Sequence, residues 1–136
     1  MANYLAGDIL EIVCKHPDLG VSRFQVKSNE SINIDFGGLR SDDDAGSITG
    51  AGDFIDKVNR VRWSMEGPIA VDFVSGNETD KLNELAESSK LGTWTITHIS
   101  GAVWKGQGKP VGDLSPDTNT AQMTLKVAGS RKLEKL

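Results

Sequence analysis

Apolar and polar residues alternate with period two over most of the chain, the mark of strands that bury one face. Ser22, Phe24 and Val26 oppose Val21, Arg23, Gln25 and Lys27, and Ile32, Ile34 and Phe36 oppose Asn33 and Asp35. This predicts two antiparallel strands joined near Ser28 to Glu30. Val61, Trp63 and Met65 alternate with Arg60, Arg62, Ser64 and Glu66. After Gly67 and Pro68 the run Ile69 to Val74 reads as a more buried strand or a bulged continuation, with Pro68 at a bulge or edge. Trp94, Ile96 and His98 alternate with Thr93, Thr95 and Thr97; Ala102 to Lys105 is a shorter run; Ala121, Met123, Leu125 and Val127 alternate with Gln122, Thr124 and Lys126. The pattern predicts six or seven strands.

One stretch has helical spacing, about residues 78–90. Asn77 can cap it, Glu78 and Asp80 suit the positive helix start, Leu82, Leu85 and Ala86 form an apolar stripe, and Gly92 can end the turn. The fold class expected is therefore mainly β: a small antiparallel β-sandwich or barrel with one flanking helix, a single domain over residues 1–136.

Between Phe36 and Val58 lies a long loop, about residues 37–57, with five glycines. Loops of this length inside compact domains are uncommon and usually functional. Phe54 and Ile55 are apolar side chains that a solvated loop has no reason to carry. They predict docking on a neighbour or, equally, a fold-back onto the chain's own core.

Composition narrows the function classes. The chain has 136 residues, enough for one ordinary domain, and its 19 acids against 15 bases give net charge -4, which argues against a surface built to hold nucleic-acid phosphates. Residues 30–90 carry 13 acids and 6 bases, the remainder 6 acids and 9 bases. Such asymmetry favours head-to-tail self-association if the fold separates the segments. No apolar run reaches membrane-span length, and the N-terminal stretch meets acids where a signal peptide needs a basic region and an unbroken apolar one, so a cytoplasmic site of synthesis and residence is expected. Cys14 is the one cysteine, which leaves no intrachain disulfide framework.

Chemistry finds little footing. Cys14, His16 and His98 match no nucleophile or zinc-ligand spacing and are expected as core residues. Asp42, Asp43 and Asp44 are consecutive, unlike the alternating ligands of a calcium loop. Gly106 to Lys109 ends in Pro110 where a phosphate-binding loop needs Ser or Thr, and reads as a turn. Trp63, Trp94 and Trp104, with Phe24, Phe36, Phe54, Phe73 and Tyr4, fall mostly on apolar strand faces and are expected in the core. No catalytic residue, metal or cofactor is expected.

The C-terminal third, from Trp104 through the Gly-rich stretch 106–109, the Asp117-Thr118-Asn119-Thr120 segment and the alternating strand closing on Ala128-Gly129, resembles the end of the inner tail tube protein of contractile-tailed bacteriophages. The resemblance implies a structural subunit, six copies to a ring, with rings stacked into a tube that conducts DNA without binding it. It implies sheath, baseplate and tail-terminator proteins as partners, and a place in the virion tail after assembly in the host cytoplasm. On this reading the 37–57 loop reaches the next subunit, with Phe54 and Ile55 as anchor and Asp42, Asp43 and Asp44 at a polar rim facing Arg131 or Lys132 of the next copy. Glu66 and Asp72 are the acidic candidates for the lumen wall. Two rivals are a secretion-system tube protein carrying effectors and a monomeric β-barrel that binds a small ligand or hydrolyses one.

Overall fold

The computed structural model describes residues 3–136. Among the described residues nine strands and one helix follow each other as β1 (Ile9–His16), β2 (Gly20–Phe24), β3 (Asn33–Asp35), β4 (Gly38–Ser41), β5 (Val58–Val61), β6 (Ser64–Ala70), α1 (Glu78–Glu87), β7 (Gly92–His98), β8 (Val103–Pro110) and β9 (Gln122–Lys135). Seven strands form one antiparallel sheet in the order β2-β1-β7-β8-β9-β6-β3, and β4 and β5 form a separate pair. The mainly β class with one helix is thus observed.

The sheet closes on itself. Beyond Phe24 the chain crosses to β6, where Val26 bridges Ile69 and the Ala70 amide donates to the Gln25 carbonyl at 2.8 Å. The seam is local: it joins the two ends of the sheet over residues 25–27, while among the described residues Gly20–Phe24 of β2 pairs only with β1. Pro68 fits here because its carbonyl faces this sparse seam, accepting from Lys27, and its missing N–H costs no bond to β9. The interior is filled by side chains: Phe24, Trp94, Ile96, Trp63, Met65, Ile69, Met123, Leu125 and Val127 are all buried. Phe24 and Trp94 stack with ring centroids 5.9 Å apart.

Several expectations are corrected. β2 and β3 do not form a hairpin together: β2 pairs with β1 and β3 with β6. Ile9–His16, not read as a strand, lies near the middle of the sheet between β2 and β7. Its register shifts between Ile9 and Glu11, so the buried positions run Ile9, then Ile12, Cys14 and His16, and the alternation slips phase. The run after Pro68 stops at Ala70, and Phe73 and Val74 stand exposed in the turn that follows.

Gly106 and Gly108 are not in a turn. They sit two apart on β8, and with Gly129 on β9 they make room for the Trp63 indole, whose Nε1 donates to the Gln107 carbonyl at 3.0 Å. Glycine costs strand stability, but here the absent Cβ admits a buried ring. Past Gly129, β9 does not end. It bulges at Arg131, held at φ 64, and continues to Lys135.

Helix α1 packs on β8 and buries Leu82 and Leu85. Asn77 occupies the cap position without a side-chain cap bond, and the helix stops at Glu87 rather than near 90. Ser88 turns extended there, and its hydroxyl meets His16 Nε2 at 3.1 Å. Gly92 does not end the helix but opens β7, where a Cβ would sit 2.6 Å from Cys14 Sγ.

Candidate assembly interface

The segment expected as a loop over 37–57 is a hairpin arm. Gly38 to Ser41 pair with Val61 to Val58, and the Asp42 amide extends the ladder to the Lys57 carbonyl at 2.7 Å. Toward the tip Ile48 bridges Phe54, the Ile55 amide donates to the Ser47 carbonyl at 2.9 Å, and the Thr49 amide donates to Asp53 at 2.8 Å. Asp44 shapes the bend by accepting from the Gly46 amide at 2.9 Å. The glycines therefore serve a folded extension rather than a slack connection.

From Leu39 to Arg60 every residue except Ser47 is exposed. That includes Leu39 at 71%, Phe54 at 72%, and Ile48, Ile55 and Val58. The arm adds nothing to the barrel core, so the fold-back alternative for Phe54 and Ile55 does not hold. Leu39, Ile48, Phe54, Ile55 and Val58 thus form an exposed apolar set on a hairpin outside the core.

The arm's root is fixed by crowding. Gly37 has φ +73, and a Cβ there would lie 2.6 Å from both the Trp63 nitrogen and the Val61 carbonyl oxygen. Beside it Asp35 accepts from the Gly37 amide at 3.0 Å and from both ends of the Arg40 guanidinium, Nη1 at 2.9 Å. Hydrogen bonding from Arg40, then from Gly37, draws the Asp35 carboxyl down to about 2. Because this lies below the ordinary carboxylate range, the pair's contribution is complete above that range and lost as pH falls through about 2. The Asp35 carboxyl should therefore titrate near 2 by NMR, with the Gly37 amide still protected at about pH 3; a midpoint near 4 would show that the pair does not hold the root.

The other predicted residues are scattered. Glu66 is exposed on the outer face of β6, opposite Asn33 on one side and Lys126 on the other. Asp72 is in the turn before α1, where it accepts from the Val74 and Ser75 amides at 2.9 and 3.1 Å and from the Ser75 hydroxyl. Those bonds draw its carboxyl below the usual range. Arg131 and Lys132 are exposed on β9 at and just past the bulge. Of the eight aromatic residues expected mostly in the core, Tyr4, Phe36, Phe54 and Phe73 are exposed and Trp104 is half-buried. Apolar character alone does not separate an interior from a face awaiting a partner.

Cys14 and His16 both point into the barrel from β1, whereas His98 pairs opposite Ile9 at the other end of that strand and is only partly buried. His16 Nδ1 accepts from the Asp18 and Leu19 amides at 3.0 and 3.2 Å, which places the ring proton on Nε2, facing Ser88 Oγ and the Lys90 carbonyl. Its bonds are spent tying the β1–β2 turn to the segment after α1. Burial pushes the Cys14 thiol up to about 12, from 9.0. Near neutral pH that lowers its thiolate fraction about a thousandfold. The native protein should leave Ellman's reagent unreacted at pH 8, and release one thiol per chain only on denaturation; rapid native labelling would contradict the buried placement.

A feature with no sequence signal is the open groove between the arm's root and the end of β9. Phe36, Trp104, Lys132 and Lys135 line it. Phe36 and Trp104 lie 68 residues apart and meet only because Leu133 on β9 hydrogen-bonds the Phe36 carbonyl at 2.8 Å, drawing the two chain segments together. No protein-family model and no curated protein matches the chain.

Proposed function

We propose that the chain is a structural subunit of the inner tube of a contractile bacteriophage tail, assembling as hexameric rings that stack into a tube through which DNA passes. The observation that carries this reading is the arm: a folded hairpin, exposed along its length and bearing Leu39, Ile48, Phe54, Ile55 and Val58 away from a closed, filled barrel. A free monomer gains nothing by presenting these side chains to water, and a neighbouring copy would remove them from it. The arm is the surface this reading assigns first to contacts between copies, and β2, which among the described residues pairs only with β1, offers a further edge to them. The barrel's interior positions are taken by buried side chains such as Phe24, Trp94 and Met65, which favours a structural subunit over a small-ligand barrel.

On this reading net charge -4 suits a conduit that repels phosphate, with Glu66 on the barrel wall and Asp72 in the turn before α1 as the acids placed toward the lumen. Sheath, baseplate and tail-terminator proteins are the further partners, and the assembled place is the virion tail. The test is negative-stain microscopy and sedimentation of the concentrated protein, alone and with a baseplate nucleus. Rings or tubes of sixfold symmetry are expected; strictly monomeric behaviour under all these conditions, with no incorporation into tails, overturns the proposal.

A further inference from the structure

We propose that the acidic, apolar tip of each arm docks into the basic groove at the arm's root on the next copy of the chain, an inference that rests on the assembly reading above. The floor of the groove is aromatic: Phe36, 40% exposed, and half-buried Trp104, ring centroids 5.7 Å apart and tilted by 50°. Around it stand Arg40, Lys132, Lys135 and one acid, Glu134. Arg40 is committed to Asp35. Among the described residues neither lysine has a carboxylate within 4.0 Å.

The tip has the matching character. From Asp42 to Asp56 it carries five aspartates and no Lys or Arg, interleaved with Ile48, Phe54 and Ile55. Asp42 faces Lys57 at 3.5 Å, Asp44 is used in the bend and Asp56 accepts from the Ser41 hydroxyl, which leaves Asp43 and Asp53 without a basic partner among the described residues. Phe54 on the Phe36–Trp104 floor would gain ring–ring contact and lose its water, while aspartates meeting Lys132 and Lys135 at the rim would fix orientation.

Tip and groove are different surfaces at opposite ends of one arm. A contact between them is therefore heterologous: each copy offers one tip and one groove, and repetition closes a ring or propagates a filament instead of stopping at a dimer.

Buried, unreactive Cys14 lets introduced thiols report the contact. Full-length Asp53→Cys protein is mixed with full-length Lys132→Cys or Lys135→Cys protein, assembled at high concentration and oxidised. Disulfides between position 53 and position 132 or 135 are expected about tenfold faster than between two copies of position 53, the preference that a heterologous contact imposes. Assembly with only 53-to-53 linkage, or with none, overturns the groove assignment while leaving the assembly reading intact. Wild-type protein that never assembles overturns both.

Charge exchange covers the case in which a cysteine variant itself fails to assemble. Lys132→Glu with Lys135→Glu is expected to raise the assembling concentration about tenfold at moderate salt, and Asp43→Lys with Asp53→Lys in the same chain to restore it. Failure of the second pair to restore assembly in a chain that remains folded overturns the proposal.

Discussion

Gly129→Ala is expected to lower the midpoint of thermal unfolding by about 10–15 °C, a large loss for a single added methyl group. A Cβ at Gly129 would lie 2.1 Å from both the Gln107 carbonyl oxygen and Trp63 Nε1. These two atoms form a hydrogen bond with each other at 3.0 Å, so the new carbon enters the bond itself. One side of the clash is backbone of β8, and the other is a fully buried indole that also covers Gly106 and Gly108. Relief requires moving the ring out of its seat, which combines an overpacking cost of about 1–3 kcal/mol with the loss of a buried bond worth about 1–3 kcal/mol. Gly50→Ala is the control, because a Cβ there meets nothing within 4 Å. Circular dichroism melts and Trp fluorescence decide the matter: a Gly129→Ala midpoint within about 3 °C of wild type would mean that the glycines are not what seats Trp63.

The same three glycines show where local sequence signals run out. Gly-x-Gly before a proline is a turn signal by residue type, and only the indole of Trp63, 44 residues from Gln107, turns it into a strand with a hollow. The helix shows the same limit. Leu82 and Leu85 at helical spacing identify the buried stripe, because periodicity follows directly from which face meets the core. Its end is decided by Ser88, whose hydroxyl meets His16 from a strand 72 residues earlier. β9 was legible in its first half, where Met123, Leu125 and Val127 alternate without interruption, and illegible past Gly129, where the bulge at Arg131 resets the phase.

Of the candidate interface, the length, the glycines and Phe54 with Ile55 were legible as a segment that does something. Its hairpin register was not, because Ser41 and Val58 pair across 16 residues with no tight-turn signal between them. The groove at Phe36 and Trp104 was hidden for a different reason. Phe36 sits in an alternating run and Trp104 in the short run from Ala102 to Lys105, so both read as core, and only the tertiary fold decides which apolar face ends up outside.

Replacing residues 42–57 by a two-residue Gly-Ser turn is expected to leave a folded monomer and abolish assembly. Ser41 and Val58 already face each other in the antiparallel ladder, so a two-residue turn joins them without disturbing β4 or β5. The removed residues contribute nothing to the buried core, and all but Ser47 are exposed, so the melting midpoint should stay within a few degrees of wild type. Within the intact arm, Phe54→Ala should raise the concentration needed for assembly by roughly a hundredfold, since an aromatic anchor seated at an interface commonly contributes about 2–4 kcal/mol. Asp43→Ala should cost far less, because an ion pair formed at an exposed rim contributes about 0–1 kcal/mol. Sedimentation across a concentration series, read beside circular dichroism melts of the same samples, separates the outcomes. A shortened protein that unfolds would place the arm in the subunit's own stability; one that assembles normally would remove it from the contact between copies; and an Asp43 effect larger than that of Phe54 would mean that charge, not the buried ring, holds the copies together.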